Sequence, residues 1–324
     1  MKGNQHIEVS NRSINYKVDL FRNITIVRGD SGTGKTTLYS MIADYTRDKD
    51  KSGVNLSSTA PCVALVDLDW ENQLKRIQNS IVFVDEGSKY ILTTEFASAI
   101  KNSSNYYVIF NRESLNNLPY SVNEIYEIKM SGKYHSLKKY YSFTDKNEFV
   151  NDGKSGKSSA KKILTEDSKP GFEFFETVAS DKGMKCEAAA ANSAVFKWLK
   201  SHINEEVIVV CDGAAFGSEI DRVSKLIHGH NNIRLITPES FEWLILKSGI
   251  VNNVNIILDN PSEYIESSNY FSWENYFTNL LIDRTKCTYL EYTKSKLNKT
   301  YLQEKEKEAI LEVLAKIYVI NSFV

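Results

Sequence analysis

A short, largely apolar run, Ile24-Thr25-Ile26-Val27, leads directly into Arg28-Gly29-Asp30-Ser31-Gly32-Thr33-Gly34-Lys35-Thr36-Thr37. Few features constrain a fold more tightly. The apolar run reads as a buried strand, the glycines force a tight loop, and residues 35–45 read as the helix that follows. The spacing is G-x-x-x-x-G-K-[ST], set where its mechanism needs it, between a strand and a helix start. Glycines let backbone N–H groups turn inward around a polyphosphate, and the helix N-terminus adds its positive dipole end. Gly29, Asp30, Ser31, Gly32, Thr33, Gly34, Lys35, Thr36 and Thr37 are therefore the candidate cradle for ATP. In it Lys35 meets the β and γ phosphates, and Thr36 gives its hydroxyl to Mg2+. The alternative is a glycine-rich turn that binds nothing.

The surrounding pattern alternates. Strand-like patches at residues 23–27, 62–68, 81–84, 106–110 and 124–130 are separated by helical ones at 35–45, 70–78 and 95–101. Short buried strands spaced by helices imply an α/β fold with a mostly parallel sheet covered on both faces. Residues 144–162 then turn polar and rich in Gly, Ser and Lys, the composition of a linker. Alternation restarts with strands at 163–165, 207–211 and 233–236 and helices at 172–179, 193–202, 220–227 and 240–247, and it ends in an aromatic-rich stretch and a Lys/Glu-faced helix at 302–320. The expected division is an ATPase domain at 1–143, a linker at 144–162, a smaller α/β domain at 163–251, and a helical, aromatic-rich region at 252–324.

A second signal supports the first. Ile81-Val82-Phe83-Val84-Asp85-Glu86 is an apolar strand ending in two carboxylates. Asp85 at its tip would hold the magnesium, and Glu86 would polarise the attacking water. A solvated turn explains the same residues without chemistry. The strand at 106–110 ends in Asn111-Arg112, the place where P-loop ATPases with an inserted central strand often put a polar residue that senses the γ-phosphate. Together these segments resemble the additional-strand catalytic-glutamate class of P-loop ATPases over residues 7–130. There is no LSGGQ-like signature, and the interval from Thr36 to Asp85 is too short for an inserted helical arm. Arg112, Arg47 and Arg76 are the candidates for an arginine finger.

In the second half, Glu166 follows one buried strand and Asp212 follows another. Strand-end carboxylates of one parallel sheet converge at its carboxyl edge, where they bind hard cations. This layout resembles a Toprim domain, whose glutamate and first aspartate match Glu166 and Asp212. The second aspartate is replaced by Ala214. Pro238-Glu239-Ser240-Phe241-Glu242 is similar to the Ser-x-Glu segment of Toprim-like nucleases, so Glu242 is expected to supply the missing carboxylate, with Glu219 and Asp221 as weaker substitutes. An ATPase followed by a Toprim-like domain resembles the overcoming-lysogenisation-defect (OLD) family of phage-defence proteins. The resemblance implies a metal-dependent nuclease, with Glu166 and Asp212 as metal ligands, under nucleotide control. The bland alternative is that Asp212 before Gly213 is ordinary turn chemistry.

Composition sets the remaining bounds. Forty Lys plus Arg against 41 Asp plus Glu leave a net charge of −1, so no global attraction to nucleic acid or membrane exists and any such preference is local. The four cysteines, without a C-x-x-C pair, argue against a zinc site or disulfide framework, and the five histidines show no ligand spacing. Neither an apolar signal core nor a spanning segment is visible, so a cytoplasmic protein is expected. Residues 270–277 (YFSWENYF), followed by Lys286, Tyr289, Tyr292, Lys294, Lys296, Lys299 and Tyr301, either stack bases and track phosphates or pack as core. The expected partners are ATP, a nucleic acid at the C-terminal half, and further copies of the chain. The rival readings are a non-nuclease regulatory switch, which Ala214 favours, and a small-molecule kinase, against which Glu86 and the lack of an arginine-rich lid both count.

Overall fold

The computed structural model describes residues 1–101, 103–141 and 160–318. They form two units: Met1–Tyr141 with Asn260–Phe271, and Ser142–Asp259 with Ser272–Val324.

The first unit is organised around the strands of one sheet. In chain order they are β1 (Gln5–Ser10), β2 (Asn15–Leu20), β3 (Ile24–Arg28), β4 (Asn55–Ser58), β5 (Cys62–Leu65), β6 (Ile81–Val84), β7 (Tyr106–Phe110), β8 (Ile125–Ser131) and β9 (Tyr134–Lys139). Across the sheet the order is β4-β1-β2-β9-β8-β3-β7-β6-β5. The five strands from β8 to β5 are mutually parallel. Every residue of β3, β6 and β7 is buried, as strands covered on both faces require.

Three helices provide that cover: α1 (Lys35–Asp48), α2 (Trp70–Arg76) and α3 (Thr94–Lys101). On α1, Leu38, Met41 and Ile42 recur at helical spacing and join the cluster that holds Tyr106, Val108 and Phe110. The intervening residue Tyr107 points the other way and meets Phe96 of α3, edge to face. Trp70 of α2 stacks on Tyr90 and abuts Phe96, completing that second face.

The register fixes where the functional loops emerge. Val27 of β3 pairs with Phe110 of β7, and Ile109 of β7 pairs with Val84 of β6. The residues after β3, β7 and β6 therefore leave the same sheet edge side by side.

The sheet is mostly parallel, as expected, with antiparallel additions in which β1 pairs with both β2 and β4, and β8 with β9. Strands β1 and β2 alternate buried residues with more exposed ones, as a sheet with one wet face does. The region expected at 252–324 is divided, since Asn260–Phe271 belongs to the first unit. There Gly3 N–H donates to Ser262 O at 2.7 Å, Ser267 N–H to Met1 O at 3.1 Å, and Asn23 Nδ2 to Phe271 O at 3.1 Å, while the Met1 ammonium meets Glu266. Of the polar stretch at 144–162, residues 144–159 lie outside the described residues, and Lys162 already belongs to a strand.

The second unit carries a four-stranded sheet, β10 (Lys162–Thr165), β11 (Lys185–Ala188), β12 (Val207–Val210) and β13 (Ile233–Ile236), in the order β11-β10-β12-β13. All its pairs are parallel. Its helices are α4 (Pro170–Asp181), α5 (Asn192–Ser201), α6 (Gly217–Ile227), α7 (Phe241–Lys247), α8 (Asn255–Asp259), α9 (Trp273–Thr285) and α10 (Glu304–Tyr318). Helix α4 begins with proline at its first turn and packs Phe174, Phe175 and Val178 inward against β10 and β11. Helix α7 is capped by Ser240, whose Oγ accepts from Trp243 N–H at 3.1 Å, and it packs on α9 and α10. Among the described residues no helix is long and apolar enough to cross a membrane.

Gly213 shows how closely the loops at this sheet edge approach one another. A Cβ there would lie 2.5 Å from Thr237 O and 3.0 Å from Pro238 O, both backbone atoms. Gly213→Ala is therefore expected to cost about 1–3 kcal/mol through a main-chain clash. Urea denaturation measures it, and an unchanged midpoint would contradict the contact.

Candidate functional site

The loop after β3 takes its shape from glycines at positive φ, Gly29, Gly32 and Gly34 at 135°, 84° and 89°. Gly34 is the most constrained. Beyond its left-handed backbone, a Cβ would stand 2.7 Å from Tyr16 Oη, and the Tyr16 hydroxyl donates to Gly34 O at 3.0 Å. Thr33 Oγ1 donates to Asp30 O at 2.9 Å and closes the turn. Asp30, Ser31, Gly32 and Thr36 are exposed, while Thr37 is half-buried.

Lys35, only 4% exposed, opens α1 and folds its ammonium back over the loop. It donates to Gly29 O and to Asp30 O, the latter at 2.9 Å, and lies 3.4 Å from Thr33 Oγ1. The same ammonium is 3.6 Å from Glu86 Oε2. The other oxygen of Glu86 pairs with Arg112 Nε, from the tip of β7. Glu86 thus stands between two cations, one at the start of α1 and one at the tip of β7, and the expected lysine and glutamate share one site.

Asp85, half-buried, sits at the tip of β6 as expected. Burial, then the charges of Asp85 and of Asp67, push the Tyr39 hydroxyl above its ordinary pKa, so all three lie near one another. Asp67 also accepts from Ser88 Oγ, just beyond Glu86. Sequence reasoning passed over Asp67, although it follows the apolar run of β5 as Asp85 follows that of β6.

Asn111, 9% exposed, holds the expected position at the tip of β7, but its Nδ2 donates to Glu113 O at 2.8 Å. It is the next residue, Arg112, that reaches Glu86. Arg47 is tied to Asp44 and Asp48 at the end of its own helix, each at 2.9 Å, and Arg76 ends α2.

For a magnesium ion the first unit offers hard oxygen donors, the Thr36 hydroxyl and the Asp85 carboxylate. Among the described residues no three His, Cys, Asp or Glu side chains are placed to hold a metal ion. Magnesium bound with a nucleotide needs no such cage, because it keeps waters and takes phosphate oxygens alongside one or two protein donors. The donor set fits it.

In the second unit β10 and β12 are adjacent and in register, Thr165 opposite Val210. Glu166 and Asp212 accordingly meet, and Asp212 N–H donates to Glu166 Oε2 at 3.0 Å. Burial raises Glu166 to about 7, with Glu274 and Asp167 adding to the rise and the Asp212 N–H and Lys294 opposing it. Asp212 is pushed well above its usual range by burial, then by Glu166, Glu274 and Glu242.

Glu242, in the first turn of α7, is 1% exposed. Its Oε1 accepts from Tyr292 Oη at 2.7 Å and from Lys294 Nζ at 2.8 Å. Lys294 also donates to Glu274 Oε1 at 3.1 Å. Glu242 does come to the neighbourhood of Asp212, as expected, but pinned by an ammonium and a phenol. These residues do not fit a metal ion as they stand: the Lys294 ammonium pairs with two of the carboxylates, Glu242 and Glu274. Glu219 and Asp221 pair along α6, with Arg222 and Lys225 respectively.

Tyr292, Lys294 and Glu274 were not singled out as site residues, and only the aromatic and basic density of the tail hinted at the first two. Of the remaining aromatic and basic residues, Trp273, Phe277 and Tyr301 are buried as core, whereas Tyr289, Lys286, Lys296 and Lys299 are exposed. Comparisons with protein-family models, curated proteins and solved structures return no match.

The raised Glu166 has a consequence for stability. Its folded-state value of about 7 exceeds the ordinary 4.5, so its contribution is fully present below 4.5 and is lost as pH rises through 7. The melting temperature of Glu166→Gln minus that of the parent chain should therefore increase from pH 4.5 to 7, whereas a flat difference would contradict the assignment.

Proposed function

We propose that this chain binds and hydrolyses ATP in its first unit and that nucleotide state governs the carboxylate site of its second. The observation that carries the first part is the approach of Lys35 Nζ to within 3.6 Å of Glu86 Oε2, from strands that flank β7. Counted in chain order, the parallel strands β3, β5, β6, β7 and β8 lie 5-1-4-3-2 across the sheet, with β7 inserted between the two functional strands. That arrangement supports the likeness to the additional-strand catalytic-glutamate ATPases.

In this reading the loop's N–H groups and Lys35 grip the phosphates. Thr36 and Asp85 hold the magnesium, which when bound screens phosphate charge. Glu86, drawn toward the phosphate end of Lys35, orients a water and accepts its proton, while Arg112 balances the Glu86 charge. Buried Tyr16 braces the loop from behind through Gly34 O.

The second unit reads as a site acting on a nucleic acid, a Toprim-like nuclease in a phage-defence setting, on the strength of the Glu166–Asp212 junction. A non-nuclease switch that binds a protein or nucleic-acid partner is the second reading. It is favoured by buried Ala214 at the expected aspartate position and by Lys294 within the carboxylates.

Lys35→Ala should weaken nucleotide binding at least ~100-fold, about 2.7 kcal/mol. Glu86→Gln should keep affinity within about threefold and lower turnover by ~100-fold or more, as expected on losing a general base. Unimpaired turnover in Glu86→Gln would overturn its role, and release of ADP without equivalent inorganic phosphate would point to a kinase. For the second unit, the nuclease reading expects metal-dependent cleavage of DNA or RNA that disappears in Glu166→Ala and Asp212→Ala. No cleavage by the parent chain with ATP and Mg2+ or Mn2+ would favour the switch.

A further inference from the structure

The antiparallel part of the first sheet buries a polar residue where an apolar one would be ordinary. Strand β9 has a single fully buried position, and it holds His135, 8% exposed. In the register of β2 and β9 it stands opposite Tyr16, and the two rings meet edge to face with centroids 4.8 Å apart. Its Nε2 donates to Gly132 O at 3.3 Å. A carbonyl can only accept, so Nε2 carries the proton and Nδ1 is left as a bare acceptor. That Nδ1 is buried and has no hydrogen-bond partner. A buried acceptor in that condition weakens the fold and calls for a reason.

The nitrogen faces the glycine loop. At Gly34 the point where a Cβ would stand is 2.7 Å from Tyr16 Oη and 3.6 Å from His135 Nδ1. An Nδ1 without hydrogen lets the ring stand closer to Gly34 than a C–H edge could. Gly34 O is where α1 begins: it accepts from Leu38 N–H at 3.0 Å and from the Tyr16 hydroxyl at 3.0 Å. Burial raises that hydroxyl above its ordinary pKa, against a hydrogen bond with the Thr37 side chain, so it stays a donor. The peptide joining Gly34 to Lys35 is thus held from the helix by Leu38 and from the sheet by Tyr16, which in turn packs on His135. In a trans peptide the C=O and N–H point opposite ways, so a Gly34 O turned into α1 sends the Lys35 N–H out of the helix N-terminus. Glycine has no side chain with which to hold that peptide itself, and the brace has to come from its neighbours.

We propose that His135 is a positioning residue for nucleotide binding: by wedging the Tyr16 ring and facing Gly34, it fixes the Gly34–Lys35 peptide and so aims the Lys35 N–H at the phosphates. The proposal rests on reading the first unit as an ATPase. It assigns His135 to the grip on the phosphates, whereas the attack on them belongs to Glu86. His135 touches neither nucleotide nor magnesium and acts through Tyr16 and Gly34.

The test is steady-state ATP hydrolysis with Mg2+ by the full chain. His135→Ala should raise KM for ATP at least ~tenfold and leave kcat within about twofold, the pattern of binding lost equally from ground and transition states. Tyr16→Phe, which removes the hydroxyl, should also raise KM. The double variant should match the worse single change within about twofold, because both act on one peptide. An unchanged KM in His135→Ala, a fall in kcat alone, or effects of the two changes that multiply would overturn the proposal. Should His135→Ala fail to fold, His135→Phe keeps a ring beside Tyr16 but turns a C–H edge toward Gly34, and KM should rise at least ~threefold; an unchanged KM would sink the idea. A parent chain that hydrolyses no ATP would remove the proposed function and this inference with it, whereas an active parent with unaffected His135 variants removes this inference alone.

Discussion

The approach of the Lys35 ammonium to the Glu86 carboxylate is the interaction on which the first unit depends. It exists because β7 lies between β3 and β6 and carries Arg112 to the other side of the same carboxylate. Three strands buried along their whole length hold the tips in register, so the charges meet without any long side chain having to search for its partner. The loop glycines serve the same end. At Gly34 both the left-handed backbone and the proximity of Tyr16 exclude a side chain.

The second unit solves a different problem with the same geometry. Parallel strands β10 and β12 bring Glu166 and Asp212 together, and the helix that follows β13 adds Glu242. Burial, and then the like charges gathered at one edge, raise the proton affinity of Glu166 and Asp212, and Lys294 opposes that rise. In the first unit, by contrast, Glu86 has two cations for one carboxylate.

Much of this was legible in the sequence where burial is complete. Ile81-Val82-Phe83-Val84 and Tyr106 to Phe110 could be read as strands because strands covered on both faces leave an uninterrupted apolar signature. The antiparallel additions were harder to see. Gln5 to Ser10 and Asn15 to Leu20 alternate polar and apolar residues, and with only one buried face they give half the signal. Lys185 to Ala188 is an edge strand too short and too exposed to register at all. Asn260–Phe271 could not have been assigned to the first unit, since its anchors join residues some 250 positions apart in the chain: backbone bonds to Met1 and Gly3, a bond from Asn23 and the pairing of Glu266 with the Met1 ammonium. The glycine loop before α1 was legible from Gly29 to Gly34 because its backbone requirements are local. The carboxylate site was legible only for Glu166, Asp212 and Glu242, since Lys294 and Tyr292 reach Glu242 across some fifty residues of chain.

The most direct test is a structure of the chain with a non-hydrolysable ATP analogue and magnesium. The account predicts the terminal phosphate within hydrogen-bonding reach of Lys35 Nζ, with that ammonium moved off Gly29 O and Asp30 O and with Glu86 facing the phosphate. A nucleotide bound elsewhere, or Lys35 still turned onto its own loop carbonyls with the phosphates beyond its reach, would contradict it.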